Sequence, residues 1–344
     1  DWFLDLSGKA RAGILKDEKK FSAVAKIFEE EYRAINKGQR NPRWIESHFR
    51  RLRLHILPFM GDMKISDITA GKVQEYRTHR MNMAGRKPEN AKDNRPAKEK
   101  PPARKTIHNE VVTIRLVLKT AMRHDWLDSL PDLSAPYRKN GKIVHRPWFS
   151  PIEYKLLYTA TRKYKDDCLP HIRWCAAQLH DFVLFMANTG LRPDEVKNLQ
   201  HRDVEIVLDD STGEKILVIE VRGKRGFGYC KSMPGAVRPY ERILERPKPD
   251  RLKSAEEKDI EIFPQPFDQL FPINHIKLFN NLLERNDLKY DRDGNPRTAY
   301  SLRHTYICLR LMEGADIYQV AKNCRTSVEM IEKHYAAHIK NTLD

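Results

Sequence analysis

The sequence predicts a mainly α-helical chain with a small antiparallel β-sheet, divided into a helical first domain and a mixed α/β second domain. Three observations carry this reading. Apolar residues recur at helical spacing through most of the 344 residues. Strict alternation of apolar and polar residues is confined to one stretch after residue 204. A segment rich in Pro and basic residues and without periodicity, 134–148, separates the two halves.

Residues 22–37 place Val24, Ile27, Phe28, Tyr32 and Ile35 on one helical face after Ser22, a residue able to cap a first turn. A second helix follows Pro42, with Trp44, Ile45, Phe49, Leu52 and Ile56 on one side and Arg50, Arg51 and Arg53 on the other. Ser66 to Met81 predicts a third and Thr106 to His124 a fourth. Between these two, residues 85–105 carry Pro, Lys and Arg but no apolar face to bury, which predicts a long polar loop. Domains are thus expected at 21–133 and 149–344, joined by 134–148, with 1–20 of unassigned role. In the second domain, helices are expected from Ser150 (Ile152, Leu156, Leu157), over 179–189, and near 269–285, 301–313, 316–323 and 327–336. IEIVLDD and KILVIEVRGKRGFGYCKSMP read as two or three short strands, and 239–268 as loop.

Charge narrows the function classes. Residues 1–146 hold 32 basic and 18 acidic side chains, a balance of +14, whereas 147–344 hold 31 and 29. A polyanion gripped mainly by the first half, double-stranded DNA above all, fits that asymmetry. No run approaches the roughly 18 apolar residues of a membrane span, and no apolar signal segment opens the chain, so no membrane partner is expected. The five cysteines form no CxxC pair, which suggests neither a disulfide framework nor a structural zinc site and favours a reducing, cytoplasmic compartment. The chain opens on Asp1 rather than Met, so residues are expected to precede it.

Four islands carry chemistry: ANTGLRPDEVKNLQHRDVE around Arg192, VRGKRG around Lys224, TAYSLRHTY around Arg303, and CRTSVEMIEKHYAAH ending near Tyr335. In order and approximate spacing they resemble the active-site islands of the tyrosine recombinase (phage integrase) family, and the first-half bundle resembles that family's core-binding domain. The resemblance runs from about Phe21 to the end. It implies the two-domain recombinase architecture and a site-specific DNA strand transferase working through a 3′-phosphotyrosyl intermediate. It further implies a homotetramer on paired recombination sites, with an accessory DNA-bending protein as a candidate partner, in a bacterial or phage-derived setting. No cofactor and no metal are expected, since the exchange conserves bond energy.

The resemblance makes Arg192, Lys224, Arg303 and Tyr335 the catalytic candidates. Arginine suits a phosphodiester: its planar guanidinium stays charged and matches two phosphate oxygens at once. Glu195, three residues after Arg192, is expected to orient it. Lys224 would protonate the departing 5′ oxygen, with Arg225 beside it lowering the ammonium pKa and Lys231 as the rival lysine. Arg303 is expected in the first turn after Ser301. Two positions depart from the family pattern: Tyr300 and Thr326 stand where imidazole or indole is usual. Proton handling is left open among these two, His304 and His334. DNA contacts are expected from Arg50, Arg51, Arg53, Lys105 and Arg225. The alternatives weighed are a type IB topoisomerase, which shares this chemistry, and a catalytically weakened DNA-binding protein.

Overall fold

The computed structural model describes residues 18–83, 101–135, 146–223, 226–254, 256–257 and 260–335. The chain divides into two compact units, Asp1–Asn140 and Gly141–Asp344. The expected linker 134–148 and the polar loop 85–105 lie largely outside the described residues.

In the first unit, α1 (Phe21–Ile35) starts one residue ahead of Ser22 and buries Phe21, Val24, Ala25 and Phe28. Helix α2 (Pro42–Arg51) is opened by Asn41, whose side chain accepts from the Arg43 amide at 2.9 Å. It continues through a π-helical stretch, Leu52–Ile56, into α3 (Leu57–Met60). The widened turn has a local cause: Pro58 lacks an N–H, and its ring would strike the Leu54 carbonyl in an uninterrupted α-helix. Trp44, expected on the buried face, is exposed and meets His48 edge-on. Helix α4 (Ala70–Asn82) begins later than Ser66 because Thr69 caps it, and Ser66 falls in a 3-10 turn. Helix α5 (Arg104–Arg123) takes in Arg104 and Lys105, the last residues of the expected polar loop.

The core of this unit gathers Phe21, Phe49, Leu52, Ile56, Val73, Tyr76, Ile114 and Leu118. A buried polar triad crosses it. Arg80 donates twice to Glu110, both at 2.9 Å, and the Tyr76 hydroxyl donates to the same carboxylate at 2.8 Å. The carboxylate is therefore paired where an unpaired charge would be very costly.

The second unit is built around α7 (Pro170–Thr189), which follows α6 (Pro151–Asp167). Helix α7 is apolar nearly all round, with Leu179, Phe182, Val183, Phe185 and Met186 buried, as befits a central helix. On α6, capped by Ser150 and Glu153, Leu157 is buried, but Ile152 and Leu156 face solvent, so the buried face differs from the one expected. A three-stranded antiparallel sheet follows the short α8 (Pro193–Lys197): β1 (Val204–Leu208), β2 (Lys215–Gly223) and β3 (Gly226–Lys231), in the order β1-β2-β3.

The segment expected as loop contains most of a helix, α9 (Val237–Leu244), burying Val237, Tyr240 and Ile243. Pro239 masks it in the sequence, yet in the first helical turn its missing N–H costs no bond. Asp181 of α7 accepts from Arg242 at 2.8 Å and also pairs with Arg246, fastening α9 to α7. Helices α10 (Ile276–Arg285), α11 (Ala299–Met312), α12 (Ile317–Asn323) and α13 (Val328–Tyr335) complete the unit. Among the described residues no helix is long and apolar enough to cross a membrane.

Candidate active site

Helix α7 stops at Gly190, whose φ of +66° is left-handed. A Cβ there would lie 2.3 Å from the Tyr306 ring, so only glycine lets α7 end against α11. The turn delivers Arg192 to the start of α8. Glu195, 4% exposed, reaches back from α8: one carboxylate oxygen accepts the Arg192 amide at 3.0 Å, and the other accepts Arg192 Nη1 at 2.8 Å.

Helix α11 is capped by Thr298, so Arg303 sits in its second turn, not in the first turn after Ser301. Arg303 is only 3% exposed. Its Nη1 donates to the Gly190 carbonyl at 2.6 Å and its Nη2 to the Cys324 carbonyl at 2.5 Å. These acceptors stand two residues before Arg192 and one before Arg325. One buried guanidinium thus holds the end of α7 beside the end of α12. The neighbouring bonds close the set: Arg192 Nη2 donates to the Arg325 carbonyl at 2.8 Å, and Arg325 Nη1 lies 3.4 Å from the same Glu195 oxygen that Arg192 uses. Arg192 and Arg325 share this one carboxylate and Arg303 stands next to them, which leaves this group of four side chains net positive and suited to an anion.

Tyr335 closes α13 and is 7% exposed, in a cluster with Tyr306, Ile307, Leu311 and Ile331. Its hydroxyl is hydrogen-bonded to Nδ1 of His304 at 2.5 Å. Burial pushes the phenol above its ordinary pKa, and the Arg303 charge pulls the other way. Tyr300 is partly exposed, with its ring centroid 5.1 Å from that of His304. Thr326 is half-buried, and its amide donates to the Ala321 carbonyl at 2.9 Å.

Lys224 and Arg225 lie outside the described residues, while Gly223 and Gly226 on either side of them pair across β2 and β3. Lys231 is exposed at the end of β3. In the first unit Arg50 and Lys105 are exposed, Arg53 pairs with Glu46 at 3.1 Å, and Arg51 is half-buried, with burial lowering its pKa. Two features escape a reading of the sequence alone. Arg325 is conspicuous there only as the neighbour of Thr326, although an arginine directly after a helix end, where glycine is favoured, is a usable signal. The pairing of His304 with Tyr335 has no sequence signal, since 31 residues separate them.

Residues 20–81 match the family model described as phage integrase, N-terminal SAM-like domain. No curated protein sequence matches the chain. Among solved structures, the chain is similar to the Tn1549 transposon integrase in complex with transposon right end DNA, at 13% identity over 90% of this chain and 94% of that one, with a TM-score of 0.60. It is also similar to a lambda integrase tetramer bound to a Holliday junction, at 13% identity over 93% and 81%, TM-score 0.56. A third likeness is to the XerH site-specific recombinase bound to difH substrate, at 13% identity over 87% and 76%, TM-score 0.50. The chain has the two-domain fold of the tyrosine recombinases.

Proposed function

We propose that this chain is a site-specific DNA recombinase that cuts and rejoins duplex DNA through Tyr335. The observation that carries the reading is the convergence of Arg192, Arg303 and the Tyr335–His304 pair where the ends of α7, α12 and α13 meet the second turn of α11.

The chemistry follows from charge and proton bookkeeping. Arg192 and Arg303 offer fixed cationic donors to the non-bridging oxygens, where negative charge grows as phosphorus becomes pentacoordinate. The phenolic oxygen of Tyr335 attacks phosphorus. The Tyr335–phosphorus bond forms as the bond to the 5′ oxygen breaks. The phenolic proton passes to Nδ1 of His304, and the departing 5′ oxygen takes a proton from Lys224. Running the same steps backwards with a different 5′ hydroxyl rejoins the strand. Burial serves this scheme by keeping the phenol protonated until a phosphate and its arginines are in place. Exposed cations of the first unit, Arg50 and Lys105 among them, neutralise backbone phosphates. Assembly as a tetramer on paired sites, with or without an accessory bending protein, belongs to the same proposal.

The test is incubation with a random-sequence duplex library followed by denaturing recovery of protein-linked DNA. Wild type is expected to yield a covalent adduct enriched in one sequence, and Tyr335→Phe none while still binding DNA. An adduct retained in Tyr335→Phe would move the nucleophile elsewhere. Relaxation of supercoiled plasmid without sequence enrichment would favour a topoisomerase, and binding without any adduct a non-cutting binder.

A further inference from the structure

Arg325 occupies a backbone position that disfavours it. It follows α12 with φ +52°. The Arg325 amide donates to the Lys322 carbonyl at 3.0 Å and the Thr326 amide to the Ala321 carbonyl at 2.9 Å. This bond pair defines a Schellman helix stop, whose left-handed residue is usually glycine. A bulky residue there is strained and persists where its side chain is held by the surrounding structure.

The Arg325 side chain is held. It is 8% exposed, and its guanidinium spans three elements. Nη1 reaches Glu195 Oε1 at 3.4 Å and the Val221 carbonyl at 3.3 Å, and Nη2 donates to the Gly226 carbonyl at 2.5 Å. Val221 belongs to the end of β2 and Gly226 to the start of β3. The strand itself makes room, since a Cβ on Gly228 would lie 3.2 Å from Arg325 Nε. Two residues earlier, Asn323 reads the same edge strand: its side chain accepts from the Lys231 amide at 2.8 Å and donates to the Lys231 carbonyl at 3.0 Å. The end of α12 therefore fastens β3 at both of its ends.

The geometry points to Arg325 as a positioning residue that locks the β2–β3 hairpin against the Glu195–Arg192 pair. This deepens the recombinase reading and rests on it for the catalytic consequence. Through the Val221 and Gly226 carbonyls the lock fixes the ends of β2 and β3, the strand ends that flank Lys224 and Arg225 in the sequence. A glycine would suit the backbone better and would remove the α12 tether at the Val221 and Gly226 end of the hairpin, while Asn323 still holds the Lys231 end.

The test uses the full chain with Arg325→Gly and Arg325→Lys. Hydrogen exchange on free protein should show faster exchange of amides within 217–223 and 226–231 in Arg325→Gly, with the rest of the second unit unchanged. The melting temperature should stay level or rise, because strain is relieved. Covalent-adduct formation on the library-selected DNA should slow at least tenfold with DNA affinity within twofold, and Arg325→Lys should recover part of the rate. Unchanged exchange in the hairpin would overturn the lock, whatever the protein does to DNA. A fall in melting temperature that accounts for the lost rate would reduce Arg325 to a fold-stabilising residue and overturn it equally. Absence of an adduct in the wild type would count against the recombinase reading alone, since the exchange result stands without it.

Discussion

Nδ1 of His304 lies 2.5 Å from the hydroxyl of Tyr335, joining the middle of α11 to the last residue of α13. In the proposed cleavage step this imidazole receives the phenolic proton. His304→Gln should therefore slow single-turnover cleavage by about 10²-fold or more, the scale of a lost general base. A variant that cleaves at the wild-type rate would assign the base to another group.

Arg192→Ala and Arg303→Ala should each cut the cleavage rate by about 10²-fold or more, the effect of removing one transition-state donor. Affinity for DNA should change far less. A gel shift run beside single-turnover cleavage on the same DNA decides the matter: equal losses would make the arginines ground-state anchors.

Exposed Arg50 and Lys105 are expected to contact phosphates. Replacing both with Gln should make the slope of log affinity against log salt shallower by roughly 1.8, at about 0.9 per lost contact. The loss should be uniform across DNA sequences. A slope identical to wild type would remove both residues from the interface.

Stability should depend on pH through buried histidines. Burial lowers the pKa of His180 and His275 in the second unit and of His48 in the first, each to about 4. Nearby cations also lower His48. The unfolded chain protonates these rings near pH 6.5, so between that value and about 4 it binds more protons than the folded chain. Folding stability is then complete above pH 6.5 and declines as pH falls through the window, by up to about 1.4 kcal/mol per pH unit for each ring. Urea midpoints measured across this range should drop, and His275→Gln should flatten the decline for the second unit. A midpoint independent of pH would contradict the burial of these rings in neutral form.

Gly190→Ala should destabilise the second unit by about 1–3 kcal/mol, since the added methyl meets the Tyr306 ring at a left-handed residue. Tyr306→Ala should absorb part of that cost, which a double-mutant cycle on denaturant midpoints reads directly. Additive losses would show that backbone strain alone, not the ring, excludes the side chain.

Much of the architecture is written in local patterns. Val111, Ile114, Val117, Leu118 and Ala121 recur at the spacing of one helical face, and α5 buries them. KILVIEVRG alternates, and β2 buries Leu217, Ile219 and Val221 on one side. Such signals need only neighbours within a turn or a pleat, so a linear sequence contains them. Where a local cue is ambiguous it misleads: Pro239 hides α9, and the apolar pair Ile152 and Leu156 points to the wrong side of α6.

The sequence by itself determined the helical character, the small sheet, the uneven charge and the family likeness. Only the tertiary structure decided which polar groups meet. His304 and Tyr335 are 31 residues apart, Arg303 and Gly190 113, Arg192 and Arg325 133. Contacts of that range depend on how α7, α11, α12 and α13 pack, and packing is a property of the assembled core, where a glycine against a tyrosine ring or an arginine at a helix stop sets positions that no local periodicity encodes.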